Sequence, residues 1–209
     1  GAKLRESWLN GESCTSPCWN GITPGLTSAN DAYSLISANE LFVNVVRETA
    51  PLTISTTGSI AFEYYFKDDY GEVILCYVDL FFNNATPEQA IRAIRSCIPP
   101  TMLSEFIEKW GEPSHVNTYF DYQHTPSSWG VFVIWMDQGI EIGRRGIVPV
   151  YGVVDALEFD NIILFRPGLE GYLEAVGSNQ LEGLREWQGY ADFEFYHRYS
   201  CCTPVSPSP

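Results

Sequence analysis

Six cysteines, Cys14, Cys18, Cys76, Cys97, Cys201 and Cys202, are the residues of this 209-residue sequence with the widest chemical scope. Thiolates bridge to one another in an oxidising compartment, ligate zinc, or attack an electrophilic carbon. The even count, with close pairs near both ends, fits bridging. Zinc fits less well: the spacings are not those of the usual two ligand pairs, and only three histidines, His115, His124 and His197, are there to complete a ligand set. Nucleophilic catalysis needs a base and an orienting group beside the thiol or hydroxyl, and no Gly-x-Ser-x-Gly elbow is present. A cysteine with His115 or His197 is the combination on offer, and bridged or core cysteines account for the same residues.

Carboxylates are the second group, 26 acidic residues against 12 basic ones, for a formal charge of −14. A pair of carboxylates at a suitable separation hydrolyses glycosides, so a carboxylate-based hydrolase is one functional class. Asp68-Asp69 is more simply a hairpin turn, and Asp155, Glu158 and Asp160 lack the spacing of a calcium loop. Gly143-Arg144-Arg145-Gly146 is the strongest basic signal. It is either a hairpin tip tied by salt bridges or a seat for a carboxylate or phosphate. Glycine-rich phosphate loops are absent. The net charge disfavours nucleic acid and anionic bilayers, both of which need cations on the protein. No residue is assigned as catalytic, cofactor-binding or metal-ligating, and no cofactor is expected. For binding, the aromatics Trp19, Trp187, Tyr190, Phe193 and Tyr196 near the ends offer a surface if exposed. Turned inward, they form a satellite core.

These side chains need elements to hold them. The composition, 45% hydrophobic and 18% charged, is that of a folded protein with a sizeable core. Ser28-Ala-Asn-Asp31 is a capping box, and Ala29, Ala32, Leu35 and Ile36 share one face of the helix it opens. A second short helix is expected over Ala38 to Val46. Ile60, Phe62, Tyr64 and Phe66 alternate as a strand, and Ile74, Cys76, Val78, Leu80 and Phe82 form the apolar face of the next, with Cys76 pointing inward. Thr86-Pro-Glu-Gln89 is another capping box, and Ala90, Ile91, Ile94 and Cys97 then fit one helical face. A helix packed on a sheet would bring Cys76 and Cys97 within bonding distance. Two reduced core thiols satisfy the same pattern. A further helix runs from Thr101 to Trp110, stopped by Gly111 and Pro113. Strands follow over His115 to Gln123, Trp129 to Asp137, Gly139 to Arg144 and Leu157 to Phe165. Leu169, Tyr172, Leu173 and Val176 fit a last short helix. A bridge from Cys201 or Cys202 to Cys14 or Cys18 would tie the two ends together, ahead of a tail expected to be disordered.

The layout predicts an α+β fold: two tandem helix-then-antiparallel-sheet units, 1–85 and 86–200, with a tail at 201–209 and the helices covering one sheet face. Gly21-Ile-Thr-Pro-Gly-Leu-Thr27 leading into a helix, with Gly111-Glu-Pro113 as the stop of the second unit, resembles the repeat of outer-membrane assembly lipoproteins and β-lactamase-inhibitor-like domains. Pro17 to Gly25, Trp110 to Val116 and Trp187 to Tyr190 are similar to segments of uncharacterised bacterial lipoproteins. That resemblance implies export and a lipid anchor, with the lipid-bearing cysteine upstream of Gly1. The opening at Gly1-Ala-Lys3 fits an exported protein whose leader is removed and a cytosolic one alike, with the cysteines favouring export, and no apolar run is long enough to cross a bilayer as a helix. The expected function is a non-enzymatic, extracytoplasmic, lipid-anchored protein that binds a protein or other envelope component. The alternatives are the carboxylate-based hydrolase and a purely structural envelope module.

Overall fold

The computed structural model describes residues 17–39, 42–49, 57–67, 71–83, 90–121, 128–146, 152–192 and 195–196. Ser28 caps the first helix, α1 (Ala29–Ser37): its Oγ accepts from the Asp31 amide at 3.1 Å and donates to Asp31 Oδ2 at 2.7 Å. Four strands follow, β1 (Val43–Thr49), β2 (Thr57–Lys67), β3 (Val73–Asn83) and β4 (Ile91–Met102). After α2 (Leu103–Trp110) come β5 (His115–Asp121), β6 (Ser128–Trp135), a 3-10 turn (Met136–Gln138), β7 (Ile140–Gly146), β8 (Gly152–Val153) and β9 (Glu158–Phe165). The helix α3 (Leu169–Val176), a second 3-10 turn (Ser178–Leu181), β10 (Leu184–Glu186) and β11 (Ala191–Asp192) complete the order.

Nine strands form one antiparallel sheet in the order β1-β2-β3-β4-β9-β7-β6-β5-β10, and β8 pairs with β11 separately. Strand alternation sends Ile60 and Phe62, then Cys76, Val78, Leu80 and Phe82, to one face. There they join Ala32 and Ile36 of α1, Leu103 and Phe106 of α2, and Val131, Val133, Ile142 and Ile162 in the large core. Each such valine, leucine, isoleucine or phenylalanine contributes roughly 1.5–3 kcal/mol by leaving water. On the opposite face α3 packs through Tyr172 against Ile134, Met136 and Phe165.

Two expectations about the architecture are overturned. The strands do not form two tandem helix-then-sheet units. They hydrogen-bond into one sheet, because β3 of the first expected unit pairs with β4 of the second through Val78–Ser96, Asp79–Arg95, Leu80–Ile94 and Phe81–Ala93. Nor do the helices cover one face, since α1 and α2 lie on one side and α3 on the other. The boundary at 85/86 and the tail at 201–209 lie outside the described residues.

The main local error explains the first. Ala90, Ile91, Ile94 and Cys97 belong not to a helix but to β4 and the bridge that precedes it. Strand β4 is contacted by α2 on one face and by α3 on the other, so buried residues fall on both faces. Register shifts opposite Phe81–Phe82 and between Cys97 and Thr101 also break the two-residue alternation. The surviving spacing imitates a helical one. The same correction applies to Ala38–Val46, where Val43 already starts β1.

Candidate functional site

Strand β7 is buried on both faces along Ile140–Gly143. Its Ile140 and Ile142 belong to the large core, so Glu141, Gly143 and Arg145 alternate to the α3 side. A ladder of aromatic rings over glycines shapes that side. Phe132 on β6 pairs with Gly143, and Tyr119 on β5 pairs with Gly130. A Cβ on Gly143 would come within 2.8 Å of the Phe132 ring, and one on Gly130 would overlap Tyr119. Only glycine lets each ring lie across its neighbour strand. The two rings stack with centroids 6.0 Å apart. Arg145, cross-strand from Gly130, holds its guanidinium carbon 5.5 Å from the Phe132 centroid and 6.0 Å from that of Tyr119. On β4, Arg95 is held similarly, 5.3 Å from the Phe81 centroid.

A cleft of about 230 Å³ opens here, between the sheet and the C-terminal end of α3. Arg95, Arg145, Glu141, Asn161 and Gln180 supply its polar groups, and Phe132, Ile163 and Val176 supply apolar wall. Asn117, itself buried, fixes the Gln180 side by donating to the Gln180 backbone oxygen at 3.2 Å and to its Oε1 at 3.0 Å.

The electrostatics are uneven. Glu141 is only 4% exposed. Burial pushes its carboxyl up to about 7, against the pull of the Tyr172 hydroxyl and the positive charges of Arg95 and Arg145. Tyr172 is raised above the usual phenol range, first by burial and then by Glu141. Its hydroxyl lies against Glu141 and Asn117, but without the alignment of a full hydrogen bond to either. Arg95 and Arg145 are exposed, and neither forms an ion pair with a carboxylate among the described residues. The cleft therefore presents two available cations beside a carboxyl that is readily neutral.

No family model matches this chain, and no curated protein or solved structure matches it either.

The structure separates the residues singled out in the sequence. Cys76 and Cys97 form a disulfide between the adjacent strands β3 and β4, with a Cα–Cα distance of 5.7 Å. The two reduced core thiols are thereby excluded, and the bridge runs strand to strand rather than from helix to sheet. The Cys97 carbonyl accepts from Tyr64 at 3.0 Å and from Ser96 at 2.7 Å. Cys18 is also disulfide-bonded, while Cys14, Cys201 and Cys202 lie outside the described residues.

Of the aromatic set, Trp19 and Tyr196 are buried and present no ring to a partner. Trp19 stacks on Phe62 at 5.8 Å because its own backbone pairs with Ile22 and turns the indole onto the sheet. The Tyr196 hydroxyl donates to the Gly189 carbonyl at 2.6 Å, and Trp187 stacks on its ring. Trp187 donates to Glu112 at 2.6 Å and is half-buried, so of this group Tyr190 remains exposed. Phe193 lies outside the described residues, as do His124 and His197. His115 starts β5 and is half-buried. Its Nδ1 meets Ser114 Oγ at 2.9 Å, and burial lowers its proton affinity against the pull of Glu186 and Asp137. Among the described residues no group of His, Cys, Asp and Glu is set to hold a metal ion.

The basic segment proved the most informative motif. Gly143-Arg144-Arg145-Gly146 is the second half of β7 rather than a hairpin tip. Arg144 is tied to Glu158, donating to its carbonyl at 3.1 Å and lying 3.8 Å from its carboxylate, while Arg145 lines the cleft. Glu141, Arg95, Asn161 and Gln180 were missed. Their strands meet only after residues some 85 positions apart converge, and no local spacing announces that.

Proposed function

We propose that this chain is an extracytoplasmic, membrane-tethered bacterial envelope protein that does no chemistry of its own and binds a partner through an acidic group of that partner, seated in the cleft at Arg95 and Arg145. One observation carries the reading: two exposed arginines without a carboxylate partner among the described residues flank a buried carboxyl, on a chain whose formal charge is −14. Cations are scarce on this protein, and two of them converge on its cleft. Charged groups left available on a preformed concave surface are the usual means of fixing a ligand's orientation.

The Cys76–Cys97 disulfide is consistent with an oxidising, extracytoplasmic compartment. Among the described residues no helix is long and apolar enough to cross a membrane. The likeness of Pro17–Gly25, Trp110–Val116 and Trp187–Tyr190 to bacterial lipoproteins supports tethering by a lipid. A carboxylate-pair hydrolase finds less support, because Glu141 is the lone carboxylate among the residues lining the cleft, where glycosidic cleavage uses two.

The test is a binding panel of acidic saccharides, acidic peptides, phosphorylated compounds and neutral analogues of each, measured calorimetrically. Acidic members bind the wild type and neutral ones do not. The R95Q/R145Q variant weakens them by about a hundredfold or more, since two charge-assisted contacts at about 1.5–3 kcal/mol each are lost. Failure of every acidic compound, or equal binding by the variant, ends the proposal.

A further inference from the structure

We propose that the acidic group taken by this cleft is a carboxylate on an apolar body, and that it enters together with one proton: its oxygens are shared between Arg95 and Arg145, and Glu141, in its protonated form, donates a hydrogen bond to one of them. This rests on the reading that the cleft binds an acidic group, and adds which acid and at what cost in protons.

The geometry argues for it from the floor of the cleft upward. Glu141 is 4% exposed and lies on the α3 face of β7, where Tyr172 of α3 packs against it, so its carboxyl has little room to turn toward bulk water. The charged or titratable groups facing it are Arg95 from β4, Arg145 from its own strand and Tyr172 from α3. Strand β5 offers the Asn117 amide and the Tyr119 phenol, and β6 and β9 offer Phe132, Ile163 and Asn161. Glu170 and Glu174 of α3 pair with Arg166, at 3.2 and 3.1 Å. An incoming anion beside an ionised Glu141 would place two negative charges together in a weakly polar floor. Protonation of Glu141 removes that repulsion and turns an acceptor into a donor. Its carboxyl titrates near neutrality in the free protein, so the proton is available at little cost.

The rest of the cleft selects the acid. It opens beside Val176 at the C-terminal end of α3, the end at which a helix carries partial negative charge. A phosphate dianion meets that end and Glu141 at once. A carboxylate brings one charge spread over two coplanar oxygens, the shape that arginine forks match. Phe132, Ile163 and Val176 then receive an apolar body rather than a hydrated one.

The experiment uses the full chain with three probes of like body: benzoate, phenyl phosphate and benzamide. Calorimetry runs from pH 5.5 to 8.5 in buffers of differing ionisation enthalpy. Benzoate binds more tightly than the other two. Its affinity falls about thirtyfold from pH 6 to 8.5, because Glu141 titrates near 7 and one proton is required. About one proton is taken up at pH 8 and almost none at pH 5.5. In E141Q, whose amide donates at every pH, benzoate binds severalfold more weakly at pH 6 and the pH dependence disappears. The proton count on the wild type needs no variant to fold. Preference for phenyl phosphate, zero uptake at pH 8, or loss of all binding in E141Q at pH 6 overturns this inference while leaving an acid-binding cleft in place. Failure of the wider acidic panel removes the cleft reading beneath it.

Discussion

Glu141 is buried where its sequence context announces an exposed acid, and that burial has a measurable consequence for stability. Its carboxyl titrates at about 7 in the fold against an ordinary 4.5. Below about 4.5 the folded and unfolded chains both hold the proton, and burial exacts nothing. Between 4.5 and 7 the unfolded chain releases it first, so stability falls as pH rises, by up to about 1.4 kcal/mol per pH unit. Above 7 both states are ionised and the loss levels off near a total of about 3 kcal/mol. With a formal charge of −14 other groups titrate too, so the difference between E141Q and wild type isolates this one. Urea denaturation at pH 4, 5.5, 7 and 8.5 should show E141Q gaining on wild type across that window and then holding its lead. A difference independent of pH refutes the buried environment. None of this was legible locally. Ile140-Glu141-Ile142-Gly143 is ordinary strand alternation with an acid facing outward, and what buries the acid is α3, some thirty residues downstream. Arg145 was legible because two adjacent arginines between glycines stand out on an acidic chain.

At the scale of elements, the paired rings and glycines hold the site in shape. Phe132 over Gly143 and Tyr119 over Gly130 give the cleft an aromatic wall on which Arg145 rests. Gly143→Ala places a methyl 2.8 Å from the Phe132 ring, too close for both to stay. The ring must tilt or the strands must part, at about 1–3 kcal/mol. Arg145 shifts with it, so the variant should lower the thermal midpoint and weaken acidic ligands together. Loss of stability with unchanged affinity would show that the wall does not position the arginine. The helices α1 and α2 and the strands β2, β3, β5, β6, β7 and β9 follow from capping residues, periodicity and turn signals. Strand β4 does not. Its register shifts and the helices on both of its faces produce apolar spacing that a helix also satisfies, and the pattern alone contains nothing to break the tie. Mistaking β4 hid Arg95 as well, because a residue assigned to a helix has no cross-strand neighbours.

For the molecule as a whole, the misassigned strand decides whether the chain is two bodies or one. Strand β4 hydrogen-bonds β3 on one side and β9 on the other, so the sheet has no internal edge between the halves of the sequence. An interruption there would bare the backbone groups of two long strands. The two flanks of the β4–β9 seam, β1–β4 and β5–β10, are therefore expected to unfold together, and the Cys76–Cys97 bridge offers a perturbation confined to the first. It closes a loop with a sequence separation of 21, and its removal costs about 3 kcal/mol in the chain-entropy account. Four of the six tryptophans, Trp110, Trp129, Trp135 and Trp187, lie beyond β4 in the sequence, so tryptophan fluorescence reports chiefly on the other half. In C76A/C97A, the fluorescence midpoint in urea should fall by the same amount as the far-ultraviolet circular dichroism midpoint, although the bridge lies within β3 and β4. Two independent units would leave the fluorescence midpoint where it stands in wild type while the dichroism splits into two transitions. Coincident movement means that a cut in the first half is felt across the β4–β9 seam, as a continuous sheet requires.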